Sequence, residues 1–302
     1  MFLSDRFVCA TKEYSQLDAP VPAPYLRREF HYDGHSAAEL TITGLGFYEL
    51  FINGTKITRG RLSPYISNSS QLIYYDCYDI RPYLVKGCNA IGVLLGNGMQ
   101  NCFGGFVWDF DKTPYRTAPL LALALELDGQ LVLEADEQFL THPSPILEDD
   151  LRLGEQYDAR KVLPGWNLPG YDASGWTPAI PMPSPKGEKR LNQARPIRVW
   201  KELSPVNIWQ EDDAYIYDFG EVNAGVCRLT VKGEKGQKIA FQHADTLRDG
   251  TLYLDKIWFA YEDARRSWKR DKPMIHRDFY TCKGEGVETY TPSFTYHGFR
   301  YV

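Results

Sequence analysis

No stretch of this 302-residue sequence approaches the roughly 20 consecutive apolar residues that a membrane-spanning helix requires. Its start, Met1 to Thr11, lacks the basic and long apolar regions of a secretory leader. The six cysteines, Cys9, Cys77, Cys88, Cys102, Cys227 and Cys282, are widely scattered, and no two have Cys-x-x-Cys spacing. Without a leader, such a pattern points to unpaired thiols in a reducing cytoplasm rather than to a disulfide framework. A basic excess is also lacking: the net charge is −5, which argues against a nucleic-acid partner. The one basic run, Arg265 to Arg270, is flanked by Glu262, Asp263 and Asp271 and reads as a solvated helix face.

The usual catalytic signatures are missing as well. There is no Gly-x-Ser-x-Gly elbow and no phosphate-binding Walker loop. Gly44-Leu45-Gly46 and Gly96-Asn97-Gly98 lack the third glycine of a dinucleotide loop and fit β turns better. His31, His35, His142, His243, His276 and His297 show no helical pair spacing for zinc. Each reads singly as a surface or satisfied core histidine. Neighbouring acids occur at Asp109 with Asp111, at Glu148-Asp149-Asp150 and at Glu211-Asp212-Asp213. These read foremost as solvated turn residues; calcium ligation and a glycosidase-type carboxylate pair are the alternatives.

What the sequence does have is aromatic residues and β punctuation. Aromatics make up 14%, with 20 Tyr and 7 Trp, a common filling for β cores and a surface on which sugars stack. Asn53-Gly54 between Phe51-Ile52 and Thr55-Lys56-Ile57 predicts a hairpin with a type I′ turn. Leu121, Leu123, Leu125 and Leu127 alternate with smaller or polar residues, reach Asp128-Gly129, and return through Leu131-Val132-Leu133. Ala90 to Leu95 is a short apolar run suited to a strand covered on both faces.

The fold expected is mainly β: two β-sandwich or jelly-roll-like domains with at most one or two short helices. The proposed division is 1–180 for the first domain, a proline-rich connector over 181–196, and 197–302 for the second. Leu254, Ile257, Tyr261, Ala264 and Trp268 are spaced as one helical face, which Pro273 would end. The final run Phe299-Arg300-Tyr301-Val302 looks like a strand cut short, the mark of a piece of a longer protein.

An ordered series of strings resembles the N-terminal β domains of bacterial α-L-rhamnosidases of glycoside hydrolase family 78. They are Tyr48 to Gly54, Leu62-Ser63-Pro64, Tyr78-Asp79-Ile80, Asn89 to Gly98, Gly154 to Arg160, Pro164-Gly165-Trp166 and Tyr171 to Trp176. The second half continues the series with Pro196 to Val199, Tyr217 to Gly225, His243-Ala244 and Phe294 to Val302. The resemblance implies two β domains preceding an (α/α)6 catalytic barrel that would carry the acid and base for inverting hydrolysis of terminal α-L-rhamnosides. On that reading no residue of this chain is catalytic. The chain would support the missing barrel, its own downstream domain, and contact rhamnosides.

Some members of that family bind L-rhamnose and calcium on a related β domain. By position the resemblance makes Asn68, Asn97, Trp108 and Asp109 the sugar-binding candidates. An amide oxygen could ligate calcium there and an amide NH2 could reach a sugar hydroxyl. The loop Ser67 to Gln71 lacks the acidic residue often found there, which weakens the calcium argument, and no cofactor is expected. Asn97 alternatively occupies a left-handed turn between its two glycines. Three functions follow: a non-catalytic rhamnosidase portion, an autonomous carbohydrate-binding module for L-rhamnose-type sugars, or a β scaffold without a ligand.

Overall fold

The computed structural model describes residues 2–103, 109–254 and 276–302. The predicted helix over 254–270 and the candidate Trp108 therefore lie outside the described residues, apart from Leu254. The protein is mainly β. Helix is as scarce as expected: the described residues contain three single 3-10 turns, Arg81–Tyr83, Phe110–Lys112 and Ala159–Lys161. No helix among them is long and apolar enough to cross a membrane.

The chain forms two compact units. The first is built from Met1–Phe103, Phe110–Ser144 and Val162–Ile197. One of its sheets runs in the order Ile180–Met182, Phe7–Cys9, Leu120–Leu127, Ala38–Leu45, Leu72–Asp79 and Glu188–Leu191, with Gln130–Glu134 hydrogen-bonded to Leu120–Leu127. The other runs Thr177–Pro178, Leu140–Pro143, Pro24–Tyr32, Gly87–Gly96, Phe47–Ile52 and Thr55–Lys56. The period-two alternation decides the packing. Leu121, Leu123, Leu125 and Leu127 face Leu26, Leu50, Ile91 and Val93 between the sheets, whereas Leu120 and Ala122 pack with Phe7, Cys9 and Ile73 on the opposite face. This is the expected sandwich. Ala90 to Leu95 is buried on both faces, as its unbroken apolar run implies. Asn53 (φ 49°) and Gly54 (φ 82°) make the predicted hairpin turn.

The proline-rich segment 181–196 joins the first unit. It completes both rims of the larger sheet, since Ile180–Met182 is one edge strand and Glu188–Leu191 the other. Pro178 and Pro181 sit in edge strands, where a residue without an N–H leaves no ladder position unfilled. On the outer face of the smaller sheet, Trp166 stacks on Tyr25 at 4.0 Å between ring centres, and Trp176 follows at 6.4 Å from Trp166. Gly92 makes room for them: a Cβ there would lie 2.6 Å from Asn167 and 3.0 Å from the Trp166 ring.

The second unit is built from Pro145–Lys161 and Arg198–Val302. Its four-stranded sheet runs Ile146–Asp150, Gly154–Asp158, Arg277–Thr281 and Lys238–Gln242. A three-stranded sheet runs Asn207–Glu211, Ala214–Gly225 and His297–Tyr301. Residues 145–161, placed by sequence inside 1–180, thus pair with strands of the second unit. Gly154–Asp158 lies parallel to Arg277–Thr281, with Gln156 opposite Phe279. Gly154 allows that approach: at φ 122°, a Cβ would fall 2.4 Å from the Arg277 carbonyl oxygen.

Candidate functional site

The four residues proposed for sugar binding are not equivalent in the structure. Asn68 is exposed, and its Oδ1 accepts the Ser70 N–H at 3.0 Å, an Asx turn. Asn97 is 2% exposed. Its Nδ2 donates to the Val21 carbonyl at 2.8 Å and its Oδ1 accepts Asn101 Nδ2 at 2.8 Å. Asn101 Oδ1 in turn accepts the Ser15 N–H at 3.2 Å. The Asn97 amide therefore ties loops together inside the first unit. The left-handed residue of this turn is Gly98, at φ 49°, and not Asn97. Asp109 is exposed and precedes the turn Phe110–Lys112. Asn68 and Asn97 belong to the first unit, whereas Asp109 is assigned to the second together with Pro145–Lys161 and Arg198–Val302. Trp108 lies outside the described residues.

The acidic runs divide. Asp212 and Asp213 form the exposed turn expected of them, with Asp212 at φ 49°. Glu148, Asp149 and Asp150 do not: they lie in a strand and are 9%, 5% and 5% exposed. Asp150 Oδ2 pairs with Arg152 Nη2 at 3.0 Å, and its Oδ1 accepts the Arg152 N–H at 2.7 Å. Burial of a charge in a strand is tolerated there because the following hairpin supplies a cation and backbone donors.

A cleft of about 180 Å³ opens in the first unit between Arg59, Arg61, Tyr65, Asp76, Tyr78 and Asn192. Asp76 is the one carboxylate in its lining. Its Oδ2 accepts the Tyr48 hydroxyl at 2.6 Å and its Oδ1 accepts Asn192 Nδ2 at 3.2 Å. Arg59 lies over the Tyr78 ring at 4.7 Å. A single carboxylate bound from two sides positions groups, but it cannot supply the separate acid and base of inverting glycoside hydrolysis.

A buried gathering of ionisable groups lies in the second unit. The strings around His243, Gly154 and His297, distant in sequence, converge on Asp278, which no motif indicated. His297 Nε2 lies 3.0 Å from both Asp278 oxygens, and His243 Nε2 lies 3.9 Å from Asp278 Oδ2. The two imidazoles stack at 4.0 Å. His243 is 0% exposed, and Asp278 and His297 are each 1% exposed. Asp278 Oδ1 also accepts the Glu155 N–H at 2.8 Å. Burial, with His297 alongside, pushes His243 down to about 3, and the same two causes push His276 to about 4. Burial followed by the Asp278 charge pushes the Cys227 thiol up to about 12.

Glu155, fully buried, accepts the Tyr290 hydroxyl at 2.9 Å and the N–H groups of Ser293 and Phe294 at 2.9 and 3.0 Å. Burial pushes its carboxyl up to about 7, against the pull of those donors. It clamps the chain entering the last strand. A second clamp is bidentate: Arg300 Nε and Nη2 donate to Asp218 at 2.8 and 2.9 Å. Tyr217-Asp218 and Phe299-Arg300, two strings of the family resemblance, are thereby joined. The signal that could have revealed Asp278 is its strand, Arg277–Thr281, where a carboxylate occupies a position of the buried alternation beside Phe279 and Tyr280.

Two family models match in succession. The one described as the alpha-L-rhamnosidase N-terminal domain matches residues 34–201, and the bacterial alpha-L-rhamnosidase concanavalin-like domain matches 209–302. An alpha-L-rhamnosidase of Streptomyces avermitilis is 32% identical over 94% of this chain, which spans 27% of that relative. Among solved structures, alpha-L-rhamnosidase from Dictyoglumus thermophilum superposes with a TM-score of 0.82 at 31% identity, covering 98% of this chain and 33% of that one. The Streptomyces avermitilis enzyme complexed with L-rhamnose gives 0.78 at 32% identity, covering 93% of this chain and 27% of that one. The chain thus spans about a third or less of the relatives it matches.

Proposed function

Because the chain belongs to the α-L-rhamnosidase family, we propose that it serves as the non-catalytic N-terminal portion of an α-L-rhamnosidase, supporting a catalytic barrel that acts on terminal α-L-rhamnosides. One observation carries the supporting role. Ile208 pairs with Tyr217 and Gln210 with Tyr215, so Ile208, Tyr215 and Tyr217 share one sheet face. They are 50%, 58% and 38% exposed, whereas Ile216, pointing the other way, is buried. Trp200, at 97% exposed, and Val206 and Val222 add apolar surface in the same unit. Among the described residues this face exposes Ile208, Tyr215 and Tyr217 beside Gln210, a mixed apolar surface that fits a partner domain. The relatives' additional length offers that domain in the same polypeptide. The widely spaced cysteines favour a reducing, cytoplasmic setting.

The test is an assay of the 302-residue chain with an aryl α-L-rhamnoside, with the full-length Streptomyces avermitilis enzyme as the positive control. No turnover is expected; turnover lost on neutralising two acidic side chains of this chain would overturn the proposal. Titration with L-rhamnose in a calorimeter checks the autonomous binding module, and a saturable heat would favour that reading. In an α-L-rhamnosidase carrying this chain, replacing both Ile208 and Tyr217 by Lys should lower the thermal midpoint, with little change in the chain alone.

A further inference from the structure

We infer that His243, Asp278 and His297 form a binding site for a divalent metal ion of the zinc type, which pins together three strands of the second unit. His243 follows the strand Lys238–Gln242, Asp278 lies in Arg277–Thr281, and His297 opens His297–Tyr301. Three potential ligand atoms, one from each residue, lie within 4.8 Å of one another. Zinc–ligand distances of about 2.0–2.2 Å put the donors of a tetrahedral ion roughly 3.3–3.6 Å apart. The observed 3.0 Å from His297 and 3.9 Å from His243 to Asp278 straddle that spacing, so small side-chain adjustments would complete the triad.

The tautomer of His243 is the stronger argument. Its Nδ1 lies 3.3 Å from the His276 carbonyl oxygen. A carbonyl oxygen can only accept, so Nδ1 carries the hydrogen and Nε2 of the neutral ring is left with a lone pair. That lone pair looks toward a carboxylate oxygen, and Nε2 has no hydrogen-bond partner among the described residues. Two acceptors facing each other in a buried site lack a positive centre between them. A backbone carbonyl holding one ring nitrogen while the other faces inward is also how proteins orient a metal-binding histidine. Asp278 is held as well: Glu155 N–H donates to Oδ1, while Oδ2 lies 3.0 Å from His297 Nε2 and 3.9 Å from His243 Nε2. The ion would replace the hydrogen now shared between His297 Nε2 and Asp278.

Two imidazoles and one carboxylate suit a borderline divalent ion better than calcium, which takes more oxygens. Burial of all three residues makes the ion structural and makes its uptake part of folding. The inference rests on this geometry alone and does not depend on the rhamnosidase reading.

The experiment unfolds the 302-residue chain in denaturant with a chelator, refolds it with Zn2+ or with Co2+, and removes excess ion by gel filtration. Equimolar retained zinc, a higher thermal midpoint than the chelated chain, and the intense visible absorption of low-coordinate Co2+ are expected. Asp278→Asn and His243→Gln should reduce retained zinc to background, while His31→Gln, at an exposed position, leaves it equimolar. His243→Cys should keep the ion and add a thiolate-to-cobalt charge-transfer band, which a merely structural histidine would not produce. Wild-type chain that refolds without retaining zinc or cobalt overturns the inference, whatever the variants do. So does zinc retained undiminished by a folded Asp278→Asn chain.

Discussion

The two units solve the problem of an interior in different ways. In the first, Leu26, Leu40, Ile42, Leu123 and Leu125 fill the space between two sheets, and among the described residues the buried charged side chains of that unit are Asp76 and, on the outer face beneath Trp166, Arg27. In the second, Glu148, Asp150, Glu155, His243, Asp278 and His297 are buried, and a described hydrophobic cluster is small: Ala159, Tyr280, Cys282 and Tyr290. An apolar core tolerates loss of one member at the cost of a cavity. A buried polar interior is stable only while every charge keeps its partner, and removing one strands the rest. The second unit should accordingly be the more brittle.

Asp278→Ala should give the largest effect, about 3–5 kcal/mol, because it abandons His297, His243 and the Glu155 N–H together. Urea unfolding followed through the second unit measures it, and a loss below about 1 kcal/mol would erase the contrast. Leu123→Ala in the sandwich core should cost about 3 kcal/mol through its cavity, with the transition of the first unit moving alone. The double variant should be additive, since the two sites share no partner. Gly92→Ala comes next, at about 1–3 kcal/mol, by forcing Trp166 and Asn167 outward; a shift in tryptophan emission would report the displacement. Trp200→Ser should stay within about 0.5 kcal/mol in the isolated chain, as befits a side chain 97% exposed.

The smallest effect concerns pH. Hydrogen bonds from Ser36 and from the Ala37 N–H, with His35 adding, lower the Asp128 carboxyl to about 2. Its folded value is depressed, so its contribution is present above about pH 4 and fades as the pH falls toward 2. A carbon-detected NMR titration should find that midpoint, and Asp128→Asn should remove the pH dependence.

Local rules made the first unit readable. Asn53-Gly54, Asp128-Gly129 and the Leu121–Leu127 alternation each act within a few residues, and each forms as the sequence implies. The strings around Asp218 and Arg300 were visible too, although only the structure shows that they grip each other. What stayed hidden depends on pairing over distance. Residues 145–161 read as part of the preceding domain because nothing local signals a parallel partner at Arg277–Thr281. The buried triad is drawn from two strands, Arg277–Thr281 and His297–Tyr301, and from the residue that follows a third, Lys238–Gln242, and singly each histidine reads as an ordinary core or surface residue. Asn97 shows the same limit: its glycine neighbours imply a left-handed residue, but Gly98 takes that conformation and the Asn97 amide is fixed by Val21 and Asn101.

The parallel pairing of Gly154–Asp158 with Arg277–Thr281 has a kinetic consequence during synthesis. Glu155 and Asp278, which meet across that pair, are 123 residues apart. At about 5–20 residues per second, a ribosome needs roughly 6–25 s to deliver the second strand after the first. Throughout that interval the hairpin Ile146–Asp158 has an open edge, and among its acids Glu155 waits for Tyr290, Ser293 and Phe294, whereas Asp150 already has Arg152. Those same charges keep the waiting edge soluble and discourage its pairing with another nascent chain.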